Sequence, residues 1–205
     1  MAINHKFIEE LNILETNGIF CGVPVKGSYS LLIIGTFNPD ANSCIKANNA
    51  EWFYGRKKNN LWRFLPRALG KHSLHVNDRP EATEKDWREF CISHKIIIID
   101  LIKSIEVVDP LPDFGDNEVE QRISEDLSNA SIFKINQAFK GVKFDRVIYS
   151  LSCSDSKIKK IRKIRDIVNE NLLSIGCIES LDQIRYPNSP ARNDSYEAWN
   201  NAINN

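Results

Sequence analysis

Residues 30–40 read Ser-Leu-Leu-Ile-Ile-Gly-Thr-Phe-Asn-Pro-Asp, and residues 51–62 read Glu-Trp-Phe-Tyr-Gly-Arg-Lys-Lys-Asn-Asn-Leu-Trp. The apolar run from Leu31 to Ile34, closed by Gly35, is typical of a strand that is buried on both faces of a parallel sheet. Ligand sites in open α/β sheets lie off the carboxyl ends of the strands. We therefore expect the polar segment after Gly35 to carry the chemistry of this protein.

Apolar runs and helical patterns alternate along the rest of the chain. Further strands are predicted at Ile96 to Asp100, Arg146 to Tyr149 and Cys177 to Leu181, the last within an apolar stretch from Ile175 to Ile184. Amphipathic helices are predicted in residues 6–15, 59–69, 81–94, 157–168 and 194–203, and one long or broken helix is predicted in residues 118–139. Residues 104–115 are predicted to form a surface loop. This alternation predicts an α/β fold in three layers, α/β/α, around a small, mostly parallel sheet. The length of 205 residues fits one domain that covers residues 1–205.

The overall charge gives no sign of nucleic-acid binding, because 27 Lys and Arg residues balance 27 Asp and Glu residues. A DNA-binding surface would have to be a local patch. The five cysteines are scattered without a Cys-x-x-Cys pair, which argues against a structural zinc site and fits a reducing cytoplasm. No apolar run approaches the roughly 20 residues of a membrane span, and the first residues lack a signal-peptide pattern. A cytoplasmic protein without a membrane partner is expected.

Two charged features have both a structural and a functional interpretation. Asp100 ends a buried strand, where a parallel sheet meets its ligand, but a carboxylate there is more often a brace for the adjoining loop. The helix that begins near Lys157 carries Lys and Arg on every face except an Ile stripe. Such a run is usually a solvated surface, although it could also contact phosphate.

The order of motifs resembles the uracil-DNA glycosylase superfamily. Gly35-Thr-Phe-Asn-Pro39, followed by Tyr54-Gly-Arg-x-x-Asn-x-Leu-Trp62, is similar to the Gly-x-x-Pro loop and Asn-x-Phe-Trp block of its hypoxanthine/uracil-type and mismatch-type branches. Tyr186-Pro-Asn-Ser-Pro-Ala-Arg-Asn193 is similar to a later Pro-Ser-x-Ser-Pro-Ala-Asn loop. Together the motifs span most of the chain. The chain departs from the family pattern at two places. Asn38 follows Gly35 by three residues, whereas the water-activating residue of the family usually follows the glycine by two. The last motif is one residue shorter than the hypoxanthine-type pattern, and Arg192 replaces a neutral residue in it.

The resemblance implies a monomeric DNA glycosylase with a central sheet of four strands. It would hydrolyse the N-glycosidic bond of a deaminated base, uracil or hypoxanthine, in DNA. Water would be the nucleophile, and no metal or other cofactor would be needed. The scattered cysteines argue against the iron–sulfur cluster that some branches of the superfamily hold.

Two asparagines are implied as catalytic residues, Asn38 and Asn59. An amide oxygen can orient water but is a poor general base, so such a site suits slow cleavage of an already labile bond. Taken without the resemblance, Asn38-Pro39 is a turn signal and Asn59 a helix cap.

The resemblance also implies which residues hold the flipped nucleotide and the DNA. The substrate-binding set is Gly35, Thr36, Phe37, Phe53, Tyr54 and Ser189. The DNA-binding set is Arg56, Lys57, Lys58, Asn188, Pro190 and Arg192. Each set also has a structural interpretation. Phe53 and Tyr54 would then simply cover the edge of the sheet, and Ser189-Pro190 would be a connection stiffened by proline.

Two other classes of function remain open from the sequence. A non-catalytic nucleic-acid-binding module on the same fold would fit the displaced Asn38 and the neutral net charge. A small-molecule hydrolase that acts on free nucleosides would use a similar pocket without a DNA surface.

Overall fold

The order of helices and strands follows the alternation in the sequence. The computed structural model describes residues 1–40, 49–109, 112, 115–151, 157–187, 189–190 and 195–205. In chain order the elements are β1 (Ala2–Asn4), α1 (Ile8–Asn17), β2 (Ile19–Phe20), β3 (Val23–Pro24), β4 (Gly27–Gly35), α2 (Leu61–Ala68), α3 (Glu84–Ser93), β5 (Ile96–Asp100), β6 (Ile102–Glu106), α4 (Asp116–Arg122), β7 (Ala130–Ile132), α5 (Ile135–Ala138), β8 (Val142–Tyr149), α6 (Lys159–Ser174), β9 (Ile184–Arg185) and α7 (Tyr196–Asn204).

A four-stranded sheet forms the centre of the protein, with the strand order β5-β4-β8-β9. Every neighbouring pair in it is parallel. In the register, Gly35 lies beside Asp100, and Ile34 lies beside Tyr149. The prediction of an α/β fold is therefore confirmed, as is the prediction that its first three strands end on the same side.

Burial explains why these apolar runs form the sheet. Residues 31–34 of β4 are at most 3% exposed, and residues 96–99 of β5 are at most 1% exposed. Since successive side chains of a strand point to opposite faces, both faces of the sheet must be covered. Helix α3 packs beside β5, α7 contacts β8 and α2, and α6 contacts α4 and α5.

The fourth predicted strand was placed too early in the chain. Cys177 and Ile178 are buried outside any strand, and a single 3-10 turn follows at Leu181–Gln183. The Ser180 hydroxyl accepts a hydrogen bond from the Asp182 N–H at 3.1 Å, which stabilises this turn. The strand itself is β9, two residues long, paired with Val147 and Ile148.

A second sheet, which the sequence patterns did not predict, occupies part of the predicted loop and helix. It is antiparallel, with the order β1-β6-β7. Residues 102–106 are thus a strand. The long or broken helix predicted for residues 118–139 is broken: α4 and α5 are separated by β7. The Asn129 side chain stabilises the end of α4, because its Nδ2 donates to the carbonyl of Arg122 at 2.7 Å.

The other predicted helices are confirmed, and their ends follow the expected signals. Helix α1 ends before Gly18, whose φ is 62°. Helix α3 begins at a capping box formed by Thr83 and Asp86. Among the helices of the described residues, none is both long and apolar enough to cross a membrane.

Candidate active site

A cavity of about 600 Å³ opens at the carboxyl ends of the parallel strands, and this volume is typical of a small-ligand site. Its lining brings together six separate segments of the described chain. The lining residues are Thr36, Phe37, Asn38, Asn49, Tyr54, Arg56, Lys57, Lys58, Asn59, Asp100, Gly115, Asp116, Ser150 and Ser189.

The ends of three neighbouring strands supply the floor of this cavity. Asp100 ends β5 beside Gly35 at the end of β4. Ser150 follows β8, and its N–H donates to the carbonyl of Ile34 at 2.9 Å. The Leu101 N–H donates to the carbonyl of Gly35, also at 2.9 Å. Backbone hydrogen bonds therefore continue past the strand ends and fix the groups that face the cavity.

Gly35 lies beneath two polar side chains of the floor. A β-carbon at this position would overlap Asp100 Oδ1 and the Tyr54 hydroxyl oxygen. Any larger residue would therefore displace both groups. Although Gly35 does not line the cavity, it makes the close approach of Asp100 and Tyr54 to the strand end possible.

His5 contacts Asp100 from behind the floor. Its Nδ1 accepts a hydrogen bond from the Phe7 N–H at 3.0 Å, so the proton of the neutral ring lies on Nε2. Nε2 then donates to Asp100 Oδ2 at 2.7 Å. The two side chains are only 0% and 6% exposed. Sequence reasoning missed His5, because no local pattern links it to a residue 95 positions away.

The same N-terminal segment holds the backbone around Asn38. The Lys6 N–H donates to the Asn38 carbonyl at 2.7 Å, and the Asp40 N–H donates to the Asn4 carbonyl at 2.9 Å. Asn38 is only 4% exposed and still lines the cavity. Residues 4–6 thus brace both the Asn38 loop and Asp100.

Tyr54 adopts a left-handed backbone conformation, with a φ of 60°. Its hydroxyl forms a hydrogen bond of 2.6 Å with Ser150 Oγ. Burial and the nearby Asp100 raise the pKa of Tyr54 well above its ordinary value, so the hydroxyl stays protonated. A β-carbon on the following Gly55 would overlap the Trp87 ring. The turn after Tyr54 therefore packs directly against Trp87.

Asn59 lines the cavity, and its amide oxygen is already engaged. Oδ1 accepts a hydrogen bond from the Leu61 N–H at 3.0 Å, at the start of α2. The amide nitrogen adds N–H donors to this side of the cavity. The Asn60 N–H donates to the carbonyl of Pro190 at 2.9 Å, which joins the last motif to this helix start.

Residues 75–78 support the basic loop from outside the cavity. His75 is buried, and its Nδ1 accepts a hydrogen bond from the Asn77 N–H at 3.1 Å. The side chain of Asn77 donates to the carbonyl of Lys57 at 3.2 Å. Burial, followed by the charge of Arg63, lowers the pKa of His75, so this ring is held neutral.

The cavity carries charges of both signs. Lys57 and Lys58 are exposed and Arg56 is half-buried. Asp100 and Asp116 also line the cavity. A cationic rim over a floor with an acceptor group suits a ligand with an anionic backbone and a part that donates hydrogen bonds.

Most of the residues that the sequence singled out come together here. Phe53 and Pro190 do not line the cavity, since Phe53 is 1% exposed and packs against Phe7 at a ring distance of 5.0 Å, and Pro190 is buried. Asn188 and Arg192 lie outside the described residues. None of the basic side chains of α6 lines the cavity as far as the structure describes it.

Within the described ranges, no group of three or more His, Cys, Asp or Glu side chains could hold a metal ion. Comparisons of the chain with protein-family models, with curated proteins and with solved structures find no match. The interpretation of the site therefore depends on its own geometry and chemistry.

Proposed function

We propose that this protein is a DNA glycosylase with the three-layer fold of the uracil-DNA glycosylase superfamily. It hydrolyses the N-glycosidic bond of a deaminated base, uracil or hypoxanthine, in damaged DNA, and it acts as a monomer. One observation carries this proposal: described residues from each of the three motifs, Thr36 to Asn38, Tyr54 to Asn59 and Ser189, line one cavity. The hydrogen bond between Asn60 and Pro190 joins the second motif to the third.

The two asparagines take different roles in this proposal. Asn59 uses its amide oxygen to accept from Leu61. It therefore suits stabilisation of the negative charge on the departing base, by donation from its amide nitrogen. Asn38, buried at the strand end and braced by Lys6, is the group that positions the attacking water.

The remaining lining residues hold the extruded nucleotide. Phe37 and Tyr54 offer aromatic surface to the base. Arg56, Lys57 and Lys58 neutralise phosphates beside the cavity. Ser189 faces the same space from the last motif.

Single-turnover excision by Asn38→Ala and Asn59→Ala tests these roles. Loss of one positioned polar group costs about a hundredfold in rate, so we expect at least that loss for Asn38→Ala with unchanged DNA affinity. Asn59→Ala should also be slower. Asn136→Ala, which changes an exposed asparagine of α5, is the matched control. Cleavage at the wild-type rate by Asn38→Ala, with none by Asn59→Ala, would reverse the assignment.

A further inference from the structure

The identity of the polar group at the floor of the cavity restricts which base edge can dock there. Asp100 is 4% exposed and lines the cavity. A carboxylate has two acceptor oxygens and no donor. It therefore matches a base edge that presents N–H groups, and it repels a carbonyl placed against it.

The two carboxylate oxygens of Asp100 have different neighbours. Oδ2 accepts the Nε2–H of His5, whose opposite nitrogen is held by Phe7. Oδ1 lies over Gly35 beside the Tyr54 hydroxyl. Because the His5 contact is buried, the carboxyl group keeps one orientation.

Base edges differ in how well they match such a carboxylate. Guanine places N1–H and the exocyclic N2–H₂ side by side, so two donors face the acceptor group. Hypoxanthine places N1–H between one carbonyl and a C2–H. In xanthine and uracil the corresponding N–H lies between two carbonyls, both of which are repelled. The three purines have the same ring system, so they differ along this edge only in the group at C2.

We propose that Asp100 sets the order of base preference at this site: hypoxanthine ahead of uracil among the deaminated bases, and damaged guanine, as a further substrate class, ahead of hypoxanthine and of xanthine. This further substrate is a guanine whose glycosidic bond is weakened, for example by alkylation at N7. Such a base carries a positive charge that the Asp100 carboxylate attracts, and it leaves as a neutral molecule when water adds to the sugar carbon. His5 is a positioning residue that acts through Asp100. This inference depends on the proposed glycosylase function.

The test compares single-turnover excision of four bases from the same duplex position: N7-methylguanine, hypoxanthine, xanthine and uracil. Wild-type protein and Asp100→Asn are compared as ratios of rates, so that the intrinsic lability of each base cancels. Asn offers one donor and one acceptor and so tolerates a carbonyl. We expect the N7-methylguanine to xanthine ratio to fall about tenfold or more in Asp100→Asn, as for loss of a charged hydrogen-bond acceptor.

Variants of His5 separate positioning from folding. His5→Gln keeps an N–H donor for Asp100 Oδ2 and should keep the base preference. His5→Phe lacks that donor and should lose the preference. Thermal melting of both variants shows whether either one unfolds, and the ratio of rates, rather than the absolute rate, is the readout.

The outcomes distinguish this inference from the proposed function. If the protein excises a base and the ratio is unchanged in Asp100→Asn, the inference is wrong and the glycosylase function stands. If wild-type protein excises none of the bases, the proposed function fails, and equilibrium binding of the same duplexes decides the inference. Tighter binding of N7-methylguanine than of xanthine that Asp100→Asn abolishes supports the inference, and equal binding overturns it.

Discussion

Replacement of Gly35 by alanine tests the packing of the cavity floor. The new β-carbon would overlap Asp100 Oδ1 and the Tyr54 hydroxyl oxygen. Neither group can move away without loss of a hydrogen bond, because Asp100 is held by His5 at 2.7 Å and Tyr54 by Ser150 at 2.6 Å. The substitution must therefore strain the site or break one of these contacts.

The expected cost follows from these two contributions. Overpacking of a well-filled interior costs about 1–3 kcal/mol. Loss of one hydrogen bond adds about 1 kcal/mol. We expect the free energy of unfolding to fall by about 2–4 kcal/mol in Gly35→Ala. For a chain of this size, each kcal/mol lowers Tm by about 2–4 °C, which gives a decrease of roughly 5–15 °C.

A double-mutant cycle in urea identifies the cause of the destabilisation. Tyr54→Phe removes one of the two overlapping atoms, so Gly35→Ala should cost about 1 kcal/mol less in that background. Tyr29→Phe, which deletes a hydroxyl near the other end of β4, is the control and should leave the cost unchanged. A cost below about 0.5 kcal/mol for Gly35→Ala, or an equal cost in both tyrosine backgrounds, would refute this packing.

Two further predictions concern the basic loop and its support. Lys57→Glu and Lys58→Glu should each reduce the slope of log affinity for DNA against log salt by roughly one, whereas Lys85→Glu, on exposed α3 surface, should not. Identical slopes for all three variants would locate DNA binding elsewhere. The folded pKa of His75 lies below the ordinary value of 6.5, so the unfolded chain binds the proton first and stability should fall as pH drops below about 6.5. His75→Asn should reduce the decrease in the free energy of unfolding between pH 7 and about 5.5, measured by urea unfolding. An unchanged pH dependence would contradict a neutral buried His75 ring.

The parts of the fold that sequence patterns predicted are those with strong local signals. Leu31 to Ile34 and Ile96 to Ile99 are uninterrupted apolar runs, which are typical of a strand covered on both faces. Strand β9, by contrast, has two residues, and β1 and β7 have three each. Strands this short pair because of their neighbours, and their own sequences carry no periodic pattern that could reveal them.

In the candidate site, too, residues with local sequence signals were predicted and residues placed by tertiary contacts were not. The motifs predicted that Asn38, Tyr54 and Asn59 face one cavity, because each motif carries its own turn and polar residues. The pairing of His5 with Asp100 could not be predicted, since it joins the N-terminal segment to the end of β5 through tertiary packing alone. The structural interpretation of Asn59, a cap at the start of α2, agrees with its contact to Leu61 and is compatible with a second role for its amide nitrogen.

The measurement that tests the central claim most directly is mass-spectrometric detection of the released base. Wild-type protein is incubated with hypoxanthine- or uracil-containing DNA, duplex and single-stranded, and with the corresponding free nucleosides. The proposed function predicts free base together with an alkali-labile abasic site, formed from DNA and lost in Asn38→Ala. Binding of the DNA without any released base would indicate a non-catalytic module, and release from free nucleosides alone would indicate a small-molecule hydrolase; either result would contradict the assignment as a DNA glycosylase.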